Sequence, residues 1–408
     1  MYPLFYKRLH TDFLGGAKMS PMYLLSKLQL FAIKKPHQPL VGVVFYTKHS
    51  FYFLPNCGNI GNMKGCCRMD IFSIINKLSA SPSPSGFEKN ISKRIVALLS
   101  RFVDETAVDG FGNVYGIKKC GKKDAKCILL DAHIDEIGLI VTGEEDGFLR
   151  FGTLGGVDPR ILPAGCVTVL SDPPRKGVIT TVPPHLLTAA DMKKAFELDD
   201  LFIDVGAEGK SGIPVGTPVV FDSEPCRLQG GYITARALDD RAGLAAILKA
   251  ISLLKGKKLP FDIVVLASAQ EEVGCRGAKI GAYTVDPECA IVVDVTHAHT
   301  AGADKSETFD AGSGAIIGIG PNMTKRISSK LIEVAKDKKI PHKLEICPGH
   351  SGTNAWSVQT VREGIATGLI SIPLKYMHTP VETVKKNDIE ASAKLISEFI
   401  QAISKQEG

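Results

Sequence analysis

Three apolar runs constrain what this chain can fold into: residues 127–132 (Cys-Ile-Leu-Leu-Asp-Ala), 262–268 (Asp-Ile-Val-Val-Leu-Ala-Ser) and 290–294 (Ala-Ile-Val-Val-Asp). They are near-continuous rather than alternating, the pattern of strands buried on both faces in a helix-covered parallel sheet. Helical spacing flanks them. Ile91, Ile95, Leu98, Leu99 and Phe102 share a face over residues 87–105, Leu244, Ile247, Leu248, Ile251 and Leu254 recur from Ala242, and residues 388–403 predict a final helix. The fold class is α/β. With 408 residues and 44% apolar composition the chain can bury a substantial core.

Residues 139–222 have another texture, with short strands, frequent Gly and Pro, and a single helical stretch predicted near 189–198. A small β-rich domain is expected there, inserted into a catalytic domain made of residues 69–138 and 223–408.

Chemistry-bearing residues follow the apolar runs. His133-Ile-Asp135 comes directly after the first, and in extended chain His133 and Asp135 point the same way, so the carboxylate can orient an imidazole whose other nitrogen binds a metal. Gln270-Glu271-Glu272 follows the second run and Asp294 ends the third. Adjacent glutamates can divide their work, one holding a metal while its neighbour takes a proton from bound water. Asp239-Asp240 sits at a corner between strand-like residues 231–238 and a helix, where one of the pair can instead cap that helix. His378 lies in a late loop. Such residues gather at the carboxyl ends of strands in open α/β sheets. Two imidazoles and three carboxylates are too many ligands for one catalytic zinc, and divide well over two ions with one carboxylate shared.

In this order, His133-Ile-Asp135-Glu-Ile-Gly, Ala237-Leu-Asp239-Asp-Arg-Ala-Gly, Gln270-Glu271-Glu272-Val-Gly, Val293-Asp294-Val-Thr and Tyr376-Met-His378-Thr-Pro resemble the tetrahedral aminopeptidases of metallopeptidase family 42, which include glutamyl and leucyl aminopeptidases and proteins formerly labelled cellulase M. The resemblance runs from about Met69 to the end. It implies a central mixed sheet flanked by helices, with an inserted dimerisation or lid domain. It also implies one metal held by His133, Asp239 and Asp294 and a second by Asp239, Glu272 and His378, with Asp239 bridging, Glu271 as general base and proton donor, and Asp135 supporting His133. Asp240 is left to a capping or supporting role. The ions would be zinc or cobalt, with manganese also compatible with such ligands. Substrates would be peptides with a free amino terminus, and the assembly a twelve-subunit tetrahedral shell of dimers. The sequence departs from the family at Asn354, where many relatives carry Asp, at His297 and His299, which as spectators, pocket-lining groups or modifiers of metal affinity are expected first to be spectators, and at Lys375, where Arg is frequent.

The net charge of +6 does not mark a nucleic-acid binder, because residues 1–68 hold nine of the 49 Lys and Arg and one of the 43 Asp and Glu, leaving the remainder slightly acidic. That leader is too interrupted by Lys48 and His49 to span a bilayer and lacks the order of a secretion signal. Translation is expected to begin at Met69. Ten cysteines without a Cys-x-x-Cys pair point to a reducing, cytoplasmic setting with no thiolate zinc site. Competing readings are a di-metal deacylase or carboxypeptidase, a metal-free carbohydrate hydrolase, and a non-catalytic metal-stabilised scaffold.

Overall fold

The computed structural model describes residues 52–53, 70–194 and 196–405. Apart from Tyr52–Phe53, which pairs antiparallel with Val108 and Ala107, the leader and its expected start at Met69 lie outside the described residues.

The three apolar runs are neighbouring parallel strands. Cys127–His133 lies between Asp262–Ser268 and Cys289–His297, and the latter pairs on its other side with Ala366–Lys375, also parallel. Val114–Lys118 and shorter antiparallel strands extend them into a 12-stranded mixed sheet. Alternation along each strand serves two cores. Ile128, Leu130, Ile263, Val265, Ile291 and Val293 face one side, where they pack with residues of Ile71–Ser79, Lys89–Leu99, Leu238–Leu253, Lys325–Asp337 and Lys386–Ser404. Leu129, Val264, Leu266, Ala290 and Val292 face the other, beneath Arg276–Val285 and Asn354–Val358. Burial on both faces is the physical reason these strands need no polar alternation.

Residues 138–221 supply a second sheet, which closes into a barrel in the order Pro218–Phe221, Gly138–Glu145, Phe148–Leu154, Phe202–Asp204, Arg175–Thr180 and Cys166–Val169. Leu139 and Val141, Val167 and Val169, and Val219 and Phe221 point inward at period two and fill its core. Closure leaves no unpaired edge on these short strands. The helix expected near residues 189–198 does not form. Two 3-10 turns, Asp191–Lys193 and Leu198–Asp200, stand there instead, and Met192 and Phe196 are 56% and 38% exposed. A helix that short needs a core against which to bury its apolar face, and these exposed side chains are not buried against the described residues.

The two acids at the strand-to-helix corner separate their tasks. Asp239 (ψ 104°) and Asp240 (ψ 42°) are not helical, and the Asp239–Asp240 peptide is cis. Gly243 N donates to Asp240 Oδ1 at 2.9 Å, so Asp240 closes the first helical turn. Glycine is required at 243, since a Cβ there would sit 2.3 Å from that oxygen. Asp239 is thereby freed to face the sheet edge.

Candidate metal centre

Parallel pairing sets the site before any side chain is considered. Ser268 lies opposite His133, Val292 opposite Asp131, and Asp294 opposite Ser371. Extending the second register by two residues brings His133 beside Asp294, so one row across the sheet carries both. The chain leaving Ser268 turns at Gln270, whose φ of 57° reverses its direction and presents Glu271 and Glu272 to the same edge. The strand Ala366–Lys375 ends just before Tyr376 and His378, both also left-handed at φ 59°. Left-handed geometry at a bulky non-glycine residue is held only by surrounding contacts, and it concentrates where function demands it.

Those contacts are carboxylates. Glu382, fully buried, accepts from the backbone N–H of His378 at 2.9 Å and of Asp239 at 3.0 Å, tying together two segments 139 residues apart. Asp135 does the same for the glutamate loop, its Oδ1 accepting from Glu271 N at 2.9 Å and its Oδ2 from Glu272 N at 3.2 Å and Ser85 Oγ at 2.6 Å. Its Oδ1 also lies 3.5 Å from His133 Nδ1, which is 3.2 Å from the Asp135 carbonyl. Glu88 Oε1 accepts from Gly86 N at 2.8 Å and Gln270 N at 3.1 Å, fixing the turn from below.

Within this frame the imidazoles and carboxylates converge. His133 Nε2 is 2.9 Å from Asp239 Oδ1, and His378 Nε2 is 3.4 Å from both Asp239 Oδ2 and Glu272 Oε2. His378 Nδ1 lies 2.8 Å from the Gly156 carbonyl, which can only accept, so Nδ1 carries a proton and Nε2 is the nitrogen turned toward the carboxylates. Two groups result whose ligand atoms lie within 4.8 Å of one another: His133 with Asp239 and Asp294, and Asp239 with Glu272 and His378. Asp239 belongs to both, one oxygen toward each imidazole. Glu271 stands beside them, its Oε1 accepting from the Cys275 thiol at 3.3 Å.

Charge explains why such a cluster calls for cations. Burial pushes Asp294, Glu272 and, less strongly, Glu271 above the usual carboxylate range, and neighbouring Asp239 adds to the push. Burial would raise Asp239 too, yet its contacts with His133 and His378 hold it well below. The imidazoles respond in kind: the Asp239 contact lifts His378 to about 10, and Asp135 and Asp239 overcome burial to lift His133. A knot of carboxylates this deep is costly unless positive charge compensates it. The donor set, imidazole nitrogen and carboxylate oxygen without thiolate, suits borderline divalent ions.

The cluster opens into a cavity of about 810 Å³ lined by Asp239, Glu271, Glu272, Asp294 and His378. Several contributors have no sequence signature. Gly156 comes from the barrel's edge, and a Cβ there would meet His378 Nδ1 at 3.0 Å. Glu382, four residues beyond His378, is distinguished only by its contacts. Of the residues that depart from the family pattern, His297 lines the cavity, and His299 Nδ1 pairs with Thr308 Oγ1 at 3.2 Å. Asn354 is buried with its Nδ2 donating to Ser268 Oγ at 3.0 Å, and Lys375 Nζ lies 5.1 Å over the Tyr232 ring.

Known proteins resemble this chain in sequence and in fold. The family model described as M42 glutamyl aminopeptidase matches residues 112–395. The lysyl aminopeptidase of Pyrococcus furiosus is 33% identical over 341 residues, covering 81% of this chain and 97% of that protein. A solved aminopeptidase from the archaeon Desulfurococcus kamchatkensis superposes with a TM-score of 0.75 at 38% identity, covering 81% of this chain and 94% of its own. The TET1 peptidase of Pyrococcus horikoshii, which can assemble into a tetrahedron or a large octahedral shell, does so at 0.72 and 31%, covering 81% and 99%.

Proposed function

Because the chain belongs to the M42 glutamyl aminopeptidase family, and is thus a metal-dependent aminopeptidase, we propose that it removes amino-terminal residues from peptides with a pair of divalent ions held by His133, Asp239 and Asp294 and by Asp239, Glu272 and His378. The observation that carries this reading is the shared carboxylate, with Asp239 a member of both ligand groups. Zinc or cobalt fits the donors best, and manganese is compatible with them. When bound, such a pair would lower the pKa of the attacking water and polarise the scissile carbonyl.

The chain's own groups do the rest. Glu271 receives the water's proton and returns it to the departing nitrogen, so the peptide bond breaks as the acyl carbon gains hydroxyl and the amine leaves neutral. Burial, the leading cause of its raised pKa, favours the protonated form and so helps it hold the proton it has taken. Asp135 orients His133 while anchoring the backbone of the glutamate pair, and Glu382 fixes the relative placement of Asp239 and His378.

Metal-loaded protein is expected to hydrolyse amino-acid p-nitroanilides, to lose that activity when treated with a chelator and regain it on adding zinc or cobalt, and to leave N-acetylated substrates intact. Preference for the acetylated series would mean a deacylase instead. Chelator-resistant hydrolysis would remove the metal mechanism altogether.

The barrel of residues 138–221 is assigned to dimerisation or to covering the site, supported by apolar Leu186 and Met192 standing 75% and 56% exposed on its 181–200 segment. A twelve-subunit tetrahedral shell is proposed by analogy with the tetrahedron of the Pyrococcus horikoshii relative and with a solved dodecamer of 30% identity. Sedimentation at the mass of twelve chains is the expected result, and a stable monomer the contrary one. A cytoplasmic setting is proposed as well, supported by the free thiols of Cys120, Cys127, Cys166, Cys226, Cys275 and Cys347. No described helix is long and apolar enough to cross a membrane.

A further inference from the structure

The cavity continues past the metal groups along the strand that carries Asp294. Thr296 lies two residues further, so its side chain faces the same side about 6.6 Å on, and it lines the cavity. That offset is close to the reach of a four-carbon lysine stem. Thr296 Oγ1 donates to Glu345 Oε1 at 2.5 Å, and Ser371 Oγ, from the residue paired with Asp294, donates to Glu345 Oε2 at 3.3 Å. Glu345 belongs to the strand His342–Ile346, is half-buried, and lines the same cavity.

This carboxylate is held by two neutral hydroxyls, and no Lys or Arg is among the described residues that line the cavity. Among the described residues its hydrogen-bond partners are those two hydroxyls. The same cavity wall includes Trp356, 42% exposed and tilted against His350 at 4.3 Å between centroids, an aromatic surface suited to an aliphatic stem ending in a cation.

We infer that Glu345 determines specificity in the subsite for the side chain of the substrate's amino-terminal residue, and that it selects a cationic one, lysine or arginine. This rests on the aminopeptidase reading above. A hydroxyl-oriented carboxylate is already in place for an ammonium or guanidinium and needs no rearrangement to pair with it. A leucine side chain would cover the charge without pairing it, and an acidic one would be repelled.

The test is kcat/KM of the metal-loaded full chain on Lys-, Arg-, Leu- and Glu-p-nitroanilide, for wild type, Glu345→Gln and Glu345→Lys. Wild type is expected to favour Lys and Arg over Leu by about tenfold or more, with Glu poorest. Glu345→Gln should lower the two basic substrates by about tenfold or more while leaving Leu within about twofold, and Glu345→Lys should move Glu above Lys. An equal loss on all four substrates in both variants would make Glu345 a structural group and overturn the inference. So would a wild-type preference for Leu or Glu. In either of those cases chelator-sensitive hydrolysis of Leu-p-nitroanilide leaves the aminopeptidase reading standing, whereas failure to cleave any of the four anilides would remove both.

Discussion

Replacing Glu271 by glutamine is expected to reduce kcat by about 10³-fold or more, roughly 4 kcal/mol of transition-state stabilisation, while fold and metal content stay unchanged. Glutamine keeps the shape of the side chain and can still accept from the Cys275 thiol, which donates to Glu271 Oε1 at 3.3 Å. Neither proposed ligand group includes Glu271. Its backbone N–H to Asp135 is untouched by the substitution, so the loop that carries Glu272 keeps its anchor. What disappears is only the ability to take a proton and give it back. Steady-state kinetics beside metal analysis checks this, and a variant that turns over at the wild-type rate would show that another group handles the proton.

Asp239→Ala should do still more damage, because it alone touches both imidazoles. With its oxygens gone, His133 loses a partner at 2.9 Å and His378 one at 3.4 Å, and each ligand group drops to two members. Activity is expected to fall by about 10⁴-fold or more, with both ions lost at concentrations where wild type holds them. Asp294→Ala, which removes a ligand from one group only, should keep one ion. The comparison is informative because the two carboxylates are buried alike, at 6% and 5% exposure, so burial does not distinguish them. Equal metal loss in both variants would argue that Asp239 is not shared.

Much of this was legible from residue patterns. The continuous apolar runs ending near His133, Ser268 and Asp294 specify strands buried on both sides, and strands of that kind bring their ends to one edge. The residues His133, Asp135, Asp239, Glu271, Glu272, Asp294 and His378 could be singled out because each follows an apolar run or occupies a short motif. Pattern alone could not show which acid of the 239–240 pair faces the site, because that depends on the backbone entering the helix at Ala237 in the left-handed region and on Asp240 accepting from Gly243 N. Glu382, Glu88 and Ser85 were invisible for a related reason. Their work is to bind backbone groups or carboxylates brought near only by folding, as Glu382 does across 143 residues to Asp239. The expected helix near 189–198 shows the opposite error: local sequence favoured a helix, and two 3-10 turns with Met192 and Phe196 exposed stand there instead.

Every role above depends on two ions sharing Asp239. Diffraction data collected on either side of the absorption edge of the bound metal locate such ions directly. The sharing of Asp239 predicts two anomalous peaks per chain, roughly 3.5–4 Å apart, one beside His133 and Asp294, the other beside Glu272 and His378, with an Asp239 oxygen on each. A single peak in crystals of active enzyme, or two peaks of which only one touches Asp239, would contradict it.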